Sequence, residues 1–79
     1  RNVDHVHRVV RMHFYKTLTE LVNEFRMRYA VTQLSITAMP IKTICSNCGF
    51  RNLGHFYKIF RQIYHQTPRE YRKINQMIV

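Results

Sequence analysis

The stretch that most constrains the fold is Gly49 to Tyr71, GFRNLGHFYKIFRQIYHQTPREY, which carries a helix stop, a cap, an amphipathic run and a second capped start. Gly49 suits the left-handed position that ends a helix, and Asn52 is a favourable N-cap for the run that follows. Phe56, Ile59, Phe60 and Ile63 recur at i, i+3, i+4 and i+7 and form one apolar stripe. Gly54, Tyr57, Lys58 and Arg61 fall on the opposite side. Thr67-Pro68-Arg69-Glu70 reads as a capping box with Pro at the first helical position, opening another helix. The pattern predicts the second half of a helix-turn-helix whose outward face is basic and able to hydrogen-bond.

The stretch has a copy. Sliding the chain against itself by fifty residues sets Asn2 on Asn52, His5 on His55, Arg11 on Arg61, Thr17 on Thr67 and Glu20 on Glu70. The identities fall on the cap, the capping box and the basic face, and Val6, Val9 and Val10 keep the phase of Phe56, Ile59 and Phe60. That placement marks an internal repeat.

Pro40-Ile41, Ile44, Cys48-Gly49-Phe50, His55-Phe56, Phe60, Thr67-Pro68 and Glu70-Tyr71-Arg72, with Arg26, Ala30 and Leu34 upstream, resemble the C-terminal signature of the AraC/XylS family of bacterial transcription regulators. The resemblance covers essentially the whole chain. It implies an all-α domain of two helix-turn-helix units joined by a long spacer helix. On that reading residues 1–16 are the remnant of the first unit, 17–35 the spacer, 40–66 the second unit and 67–79 a terminal helix. Asn2 matches the N-cap of the family's first recognition helix, so the chain is expected to be a fragment lacking two preceding helices.

Thirteen Lys and Arg against four Asp and Glu give a formal net charge of +9, which favours a polyanionic partner. No apolar run approaches membrane-spanning length, and the first residues do not resemble a signal peptide. A basic amphipathic membrane-surface domain is disfavoured because the helices have caps and core faces. Cys45 and Cys48 form one C-x-x-C, which raises the alternative of a small metal or thiol-redox module. Zinc needs about four ligands, and no second Cys pair or suitably spaced His pair completes a site. A redox motif of this kind sits beside a βαβ pattern, which is missing here. Buried, reduced thiols filling the core are the preferred reading.

Taken in order, Val3 to about His13 reads as the first recognition helix, with Asp4, His7, Arg8 and Arg11 outward. Thr17-Leu18-Thr19-Glu20 is a capping box opening a helix to about Leu34 or Ser35. Its apolar positions change sides: Leu18, Leu21, Val22, Phe25 and Tyr29 share one face, whereas Met27, Ala30, Val31 and Leu34 lie nearly opposite. Such a helix packs against two different bodies. At a rise of about 1.5 Å per residue, Leu18 to Leu34 spans about 25 Å, comparable to the roughly 34 Å between successive major grooves on one side of DNA. Pro40 opens a short helix with Ile41, Ile44, Cys45 and Cys48 inward. Pro68 opens the terminal helix, with Tyr71, Ile74 and Ile78 expected inward and Arg69, Arg72 and Lys73 outside.

Enzyme chemistry finds little support: Glu20 and Glu70 are explained by capping boxes, and Asp4 and Glu24 have no partner carboxylate at helical spacing. No phosphate-binding Gly-rich loop is present, and no cofactor is expected. His5 and His55 are better read as histidines packing beside their own turns than as DNA contacts, and His13 as a core or boundary residue. Carried over from the resemblance, base-contacting positions fall on Asp4, His7 and Arg8 in the first unit and Gly54, Tyr57 and Lys58 in the second. Arg11, Arg51, Asn52 and Arg61 are the phosphate-contacting candidates. Asp4 can accept from cytosine N4, and Arg8 can take guanine O6 and N7 together. The family usually has Gly where this chain has Tyr15 and His65, so either those residues accept a left-handed conformation or the helix ends differ. The resemblance further implies a bacterial, cytoplasmic, nucleoid-associated regulator, an activator or a repressor, with double-stranded DNA and RNA polymerase as partners, and an effector-binding or dimerisation region outside these residues.

Overall fold

In the computed structural model, residues 16–77 are described; they form four α-helices. The first, α1 (Leu18–Ile36), starts at a complete capping box. Glu20 N–H donates to Thr17 Oγ1 at 3.0 Å, and Thr17 N–H donates to a Glu20 carboxylate oxygen at 2.8 Å. The helix runs one or two residues past the expected end and stops at Thr37, whose backbone is extended. Pro40 then serves as the N-cap of α2 (Ile41–Asn47), which is one position earlier than the first-turn place where Pro is most at home.

The stop after α2 follows from backbone chemistry. Gly49 has φ +98°, its N–H donates to Ser46 O at 3.1 Å, and Phe50 N–H donates to Cys45 O at 3.0 Å. These are the two hydrogen bonds of a Schellman motif, which uses carbonyls the helix leaves free. Asn52 caps α3 (Leu53–Tyr64) by accepting His55 N–H on Oδ1 at 2.8 Å. His65 ends α3 in the left-handed conformation, φ 61°, so of the two ways its residue type could be accommodated the chain takes the strained one, at about 1 kcal/mol. Tyr15, the corresponding position in the repeat, lies outside the described residues. Thr67 and Glu70 form the second complete capping box, opening α4 (Pro68–Asn75) with Pro at its start.

The core is built mainly by α1, α2 and α3. Met27, Ala30 and Leu34 from α1, Ile44 from α2, and Phe56 and Phe60 from α3 are fully buried, with Cys45, Cys48 and Phe50 nearly so. The face switch of α1 takes this form: Val22, Phe25 and Tyr29 are exposed while the opposite face of the later turns is buried.

The terminal helix departs from expectation. Ile74, expected inward, is 73% exposed, while Pro68 is fully buried and Arg72, expected outside, is half-buried. Pro68, Tyr71, Arg72 and Asn75 form the inward stripe, so the helix is turned by roughly a fifth of a revolution from the orientation that would bury Ile74. The cause is polar. Arg72 Nε donates to Leu34 O and Arg72 Nη2 to Thr37 O, each at 3.2 Å, which draws this face of α4 against the end of α1. The expectation for Ile78 lies outside the described residues.

Candidate nucleic-acid interface

The two faces of α3 are chemically separate. Phe56 and Phe60 are fully buried, Ile59 and Ile63 half-buried, whereas Gly54, Lys58 and Arg61 are exposed, as are Arg51 and Asn52 in the approach to the helix. At about 100° per residue, Gly54, Tyr57, Lys58 and Arg61 fit within an arc of roughly 100°. No acidic residue occurs between Phe50 and Gln66. A helix held by one aromatic face therefore presents a narrow cationic stripe on the other.

The individual positions differ in what they have left to offer. Tyr57 is half-buried against the core, with its ring centroid 6.2 Å from that of Phe56, so only part of it faces outward. Asn52 uses Oδ1 as the helix cap, leaving its amide N–H groups free. A Cβ on Gly54 would stand 3.1 Å from that cap oxygen, so the glycine relieves crowding at the cap and keeps the first turn low. The Glu70 carboxyl is held below the usual carboxylate range, first by the Thr67 N–H and also by the nearby Arg61 guanidinium. His55 is exposed and packs its ring edge-on to Phe50 at 5.5 Å. Asp4, His7, Arg8 and Arg11 lie outside the described residues, as do His5 and His13.

Cys45 and Cys48 are buried and free. Burial pushes the Cys45 thiol up, and burial followed by the neighbouring Cys45 raises Cys48 to about 11. The thiolate is the reactive and metal-binding form, so both environments oppose the module chemistry considered as the alternative. Their sulfurs lie 3.8 Å and 3.4 Å from the carbonyls of Phe50 and Cys45 respectively, within the helix end they fill. Among the described residues no group of three His, Cys, Asp or Glu side chains could hold a metal ion. No helix among them is long and apolar enough to cross a membrane.

Two arginines supporting the interface were not assigned a role by sequence pattern. Arg26 of α1 lies over the Phe50 ring, 5.4 Å from its centroid, in space open because Gly49 lacks a side chain. Arg72 holds the end of α1. A signal for the second existed: α1 has no basic residue in its last turn and no glycine stop, so donors for its last carbonyls had to come from elsewhere.

A family described as a helix-turn-helix domain matches residues 2–74. The chain is 30% identical over 64 residues to the xylose operon regulatory protein of Escherichia coli K12, covering 81% of this chain and 16% of that protein. It is 33% identical over 55 residues to the HTH-type transcriptional regulator GadX of E. coli O6:H1, covering 70% of this chain and 20% of that one. The chain spans about a fifth or less of the length of these relatives. Among solved structures, the xylose-binding transcription activator xylR superposes with a TM-score of 0.78 at 26% identity, over 92% of this chain and 19% of that one. A Listeria innocua protein of unknown function gives 0.85 at 26% identity, over 91% and 69%. With α2, the Gly49 turn and α3 built as helix, turn and helix, and with the match running from residue 2 to residue 74, the chain belongs to the AraC/XylS-type helix-turn-helix family of bacterial transcription regulators.

Proposed function

We propose that this chain is the part of a bacterial transcription regulator that reads duplex DNA, with two recognition helices entering successive major grooves. On this reading residues 1–16 belong to the first unit as its recognition-helix remnant, 17–35 are the spacer, 40–66 the second unit and 67–79 the terminal helix. The observation that carries this is the separation of faces on α3, with Phe56 and Phe60 sealed into the core and Arg51, Lys58 and Arg61 exposed. A polar helix face about as wide as one groove contact, with flanking cations, is what major-groove docking requires. Asp4, His7 and Arg8 read base edges in the first unit. Gly54, Tyr57 and Lys58 approach bases in the second, and Arg11, Arg51, Asn52 and Arg61 meet phosphates. The second unit leans towards backbone anchoring, because Gly54 offers no side chain and Tyr57 is half committed to the core. The chain works at DNA in the cytoplasm, with RNA polymerase as a further partner and effector sensing or dimerisation supplied by other residues.

The test is binding of a labelled duplex selected from a random library, titrated at several salt concentrations. A domain touching about six phosphates gives a log–log slope near −5, and a slope near zero overturns phosphate tracking. On the selected duplex Arg8→Ala costs about 1–3 kcal/mol and on scrambled DNA much less, whereas Lys58→Ala weakens both alike. The reverse pattern would show that the roles of the two helices are exchanged.

A further inference from the structure

Most of the hydrogen bonds that close the C-terminal end of α1 come from the far end of the chain. Thr37 uses its own N–H and hydroxyl on Gln33 O. The carbonyls beyond that are taken from α4 and the residues after it. Arg72 Nε donates to Leu34 O and its Nη2 to Thr37 O, both at 3.2 Å; Gln76 Nε2 donates to Thr37 O at 3.3 Å, and Met77 N–H to Ser35 O at 2.8 Å. A planar guanidinium bonded at two points fixes an angle as well as a distance, and its charge stands at the negative end of the α1 dipole. About two turns earlier the attachment runs the other way. Arg26 reaches from α1 over Phe50, whose ring lies 5.5 Å from those of both His55 and Phe56 in the opening turns of α3. The spacer is thereby bonded at its end to α4, which packs on α3 through the Tyr71 ring 5.8 Å from Phe60 and 5.6 Å from Tyr64, and about two turns earlier to the opening of α3 itself.

We propose that Arg72 is a positioning residue for DNA reading. Without touching DNA, it sets the orientation of the second helix-turn-helix relative to the spacer helix, and through it the half-site spacing the protein accepts. This rests on the reading that the protein binds a two-part duplex site. Two joined modules gain affinity only while the joint lets both engage together, so a loosened joint blurs the preferred spacing before it weakens contact with either half-site. Lysine keeps the charge but cannot reproduce the two-point fork, which makes Arg72→Lys the informative change and Arg72→Met the harsher one.

The experiment uses the complete natural protein and a duplex selected by the unaltered protein from a random library, together with versions whose half-sites are moved by one base pair and a duplex carrying only the second half-site. Expected for Arg72→Lys is binding to the single half-site within about twofold of the unaltered protein, and a loss of about tenfold in preference for the selected spacing over the shifted ones. Arg72→Met shows the same pattern if it folds; if it does not, Arg72→Lys alone decides. Equal weakening on every duplex makes Arg72 a general structural or phosphate-contacting residue and overturns the proposal, as does an unchanged spacing preference. Failure of the unaltered protein to select any two-part duplex removes the underlying function and this inference together.

Discussion

The chain contains two capped helix starts of nearly the same construction, and they lead to different fates. At Thr17 and at Thr67 the hydroxyl accepts the N–H of a glutamate three residues on, and the glutamate accepts the threonine N–H at 2.8 Å. Behind Thr67, Pro68 is fully buried and the Tyr71 ring packs 5.8 Å from Phe60 and 5.6 Å from Tyr64. Behind Thr17, Val22 and Phe25 are exposed, and the first side chain of α1 to be fully buried is Met27. The cap decides where a helix begins, because it satisfies N–H groups that no helix can satisfy for itself. Whether the start shares in the stability of the domain is decided by the apolar surface placed behind it.

The largest effect that separates the two regions is a pair of aromatic truncations. Phe60 is fully buried and lies within 6 Å of the rings of Phe56, Tyr64 and Tyr71, so Phe60→Ala should cost about 3–5 kcal/mol in urea unfolding. Phe25 is 65% exposed and its ring is met by the guanidinium of Arg28, so Phe25→Ala should stay within about 0.5 kcal/mol. A cost for Phe25→Ala approaching that of Phe60→Ala would mean that both faces of α1 are buried in one cooperative unit, and the contrast would fall.

Removing the caps themselves gives a smaller and more discriminating result. Thr67→Ala should lower global stability by about 1 kcal/mol, since α4 is packed on the core through Pro68 and Tyr71. Thr17→Ala removes an equivalent hydrogen bond but acts on a helix start that carries little core surface. Its effect should appear as faster amide exchange over Leu18–Glu24 with little movement of the unfolding midpoint. Equal shifts in midpoint would show that the first turns of α1 unfold together with the rest.

What was legible in the sequence was what is local. Both capping boxes, the Asn52 cap, the Gly49 stop and the stripe of α3 stand where residue type and spacing put them, because each involves partners only a few positions apart. The arrangement of α4 was not legible in that way. Its apolar residues alone favour turning Ile74 inward, and what overrides them is an arginine bonding to carbonyls 35 and 38 residues earlier in the chain. Periodicity has no term for such a bond. That Gly54, Lys58 and Arg61 lie on the exposed side of α3 was likewise legible, but not that Tyr57 gives part of its ring to the core or that Arg61 stands close enough to Glu70 to favour its charged form.

That last pairing supplies the smallest effect. The Glu70 carboxylate accepts the Thr67 N–H, and this bond, with Arg61 adding attraction, lowers its pKa from the ordinary value. A depressed folded-state pKa means the carboxylate binds its proton less readily in the folded chain than in the unfolded one. Its contribution to stability is therefore present above the ordinary carboxylate pKa and fades as pH falls through the depressed value. Glu70→Gln keeps an oxygen for the Thr67 N–H, as capping boxes allow, and removes the charge. The two proteins should differ most near pH 6 and draw together as pH falls below the ordinary glutamate value of about 4.3. Glu70 is fully exposed, so added salt should narrow the difference further. Urea midpoints for both proteins across that range provide the measurement. A gap between them that stays constant with pH would assign the effect to the shape of the cap alone.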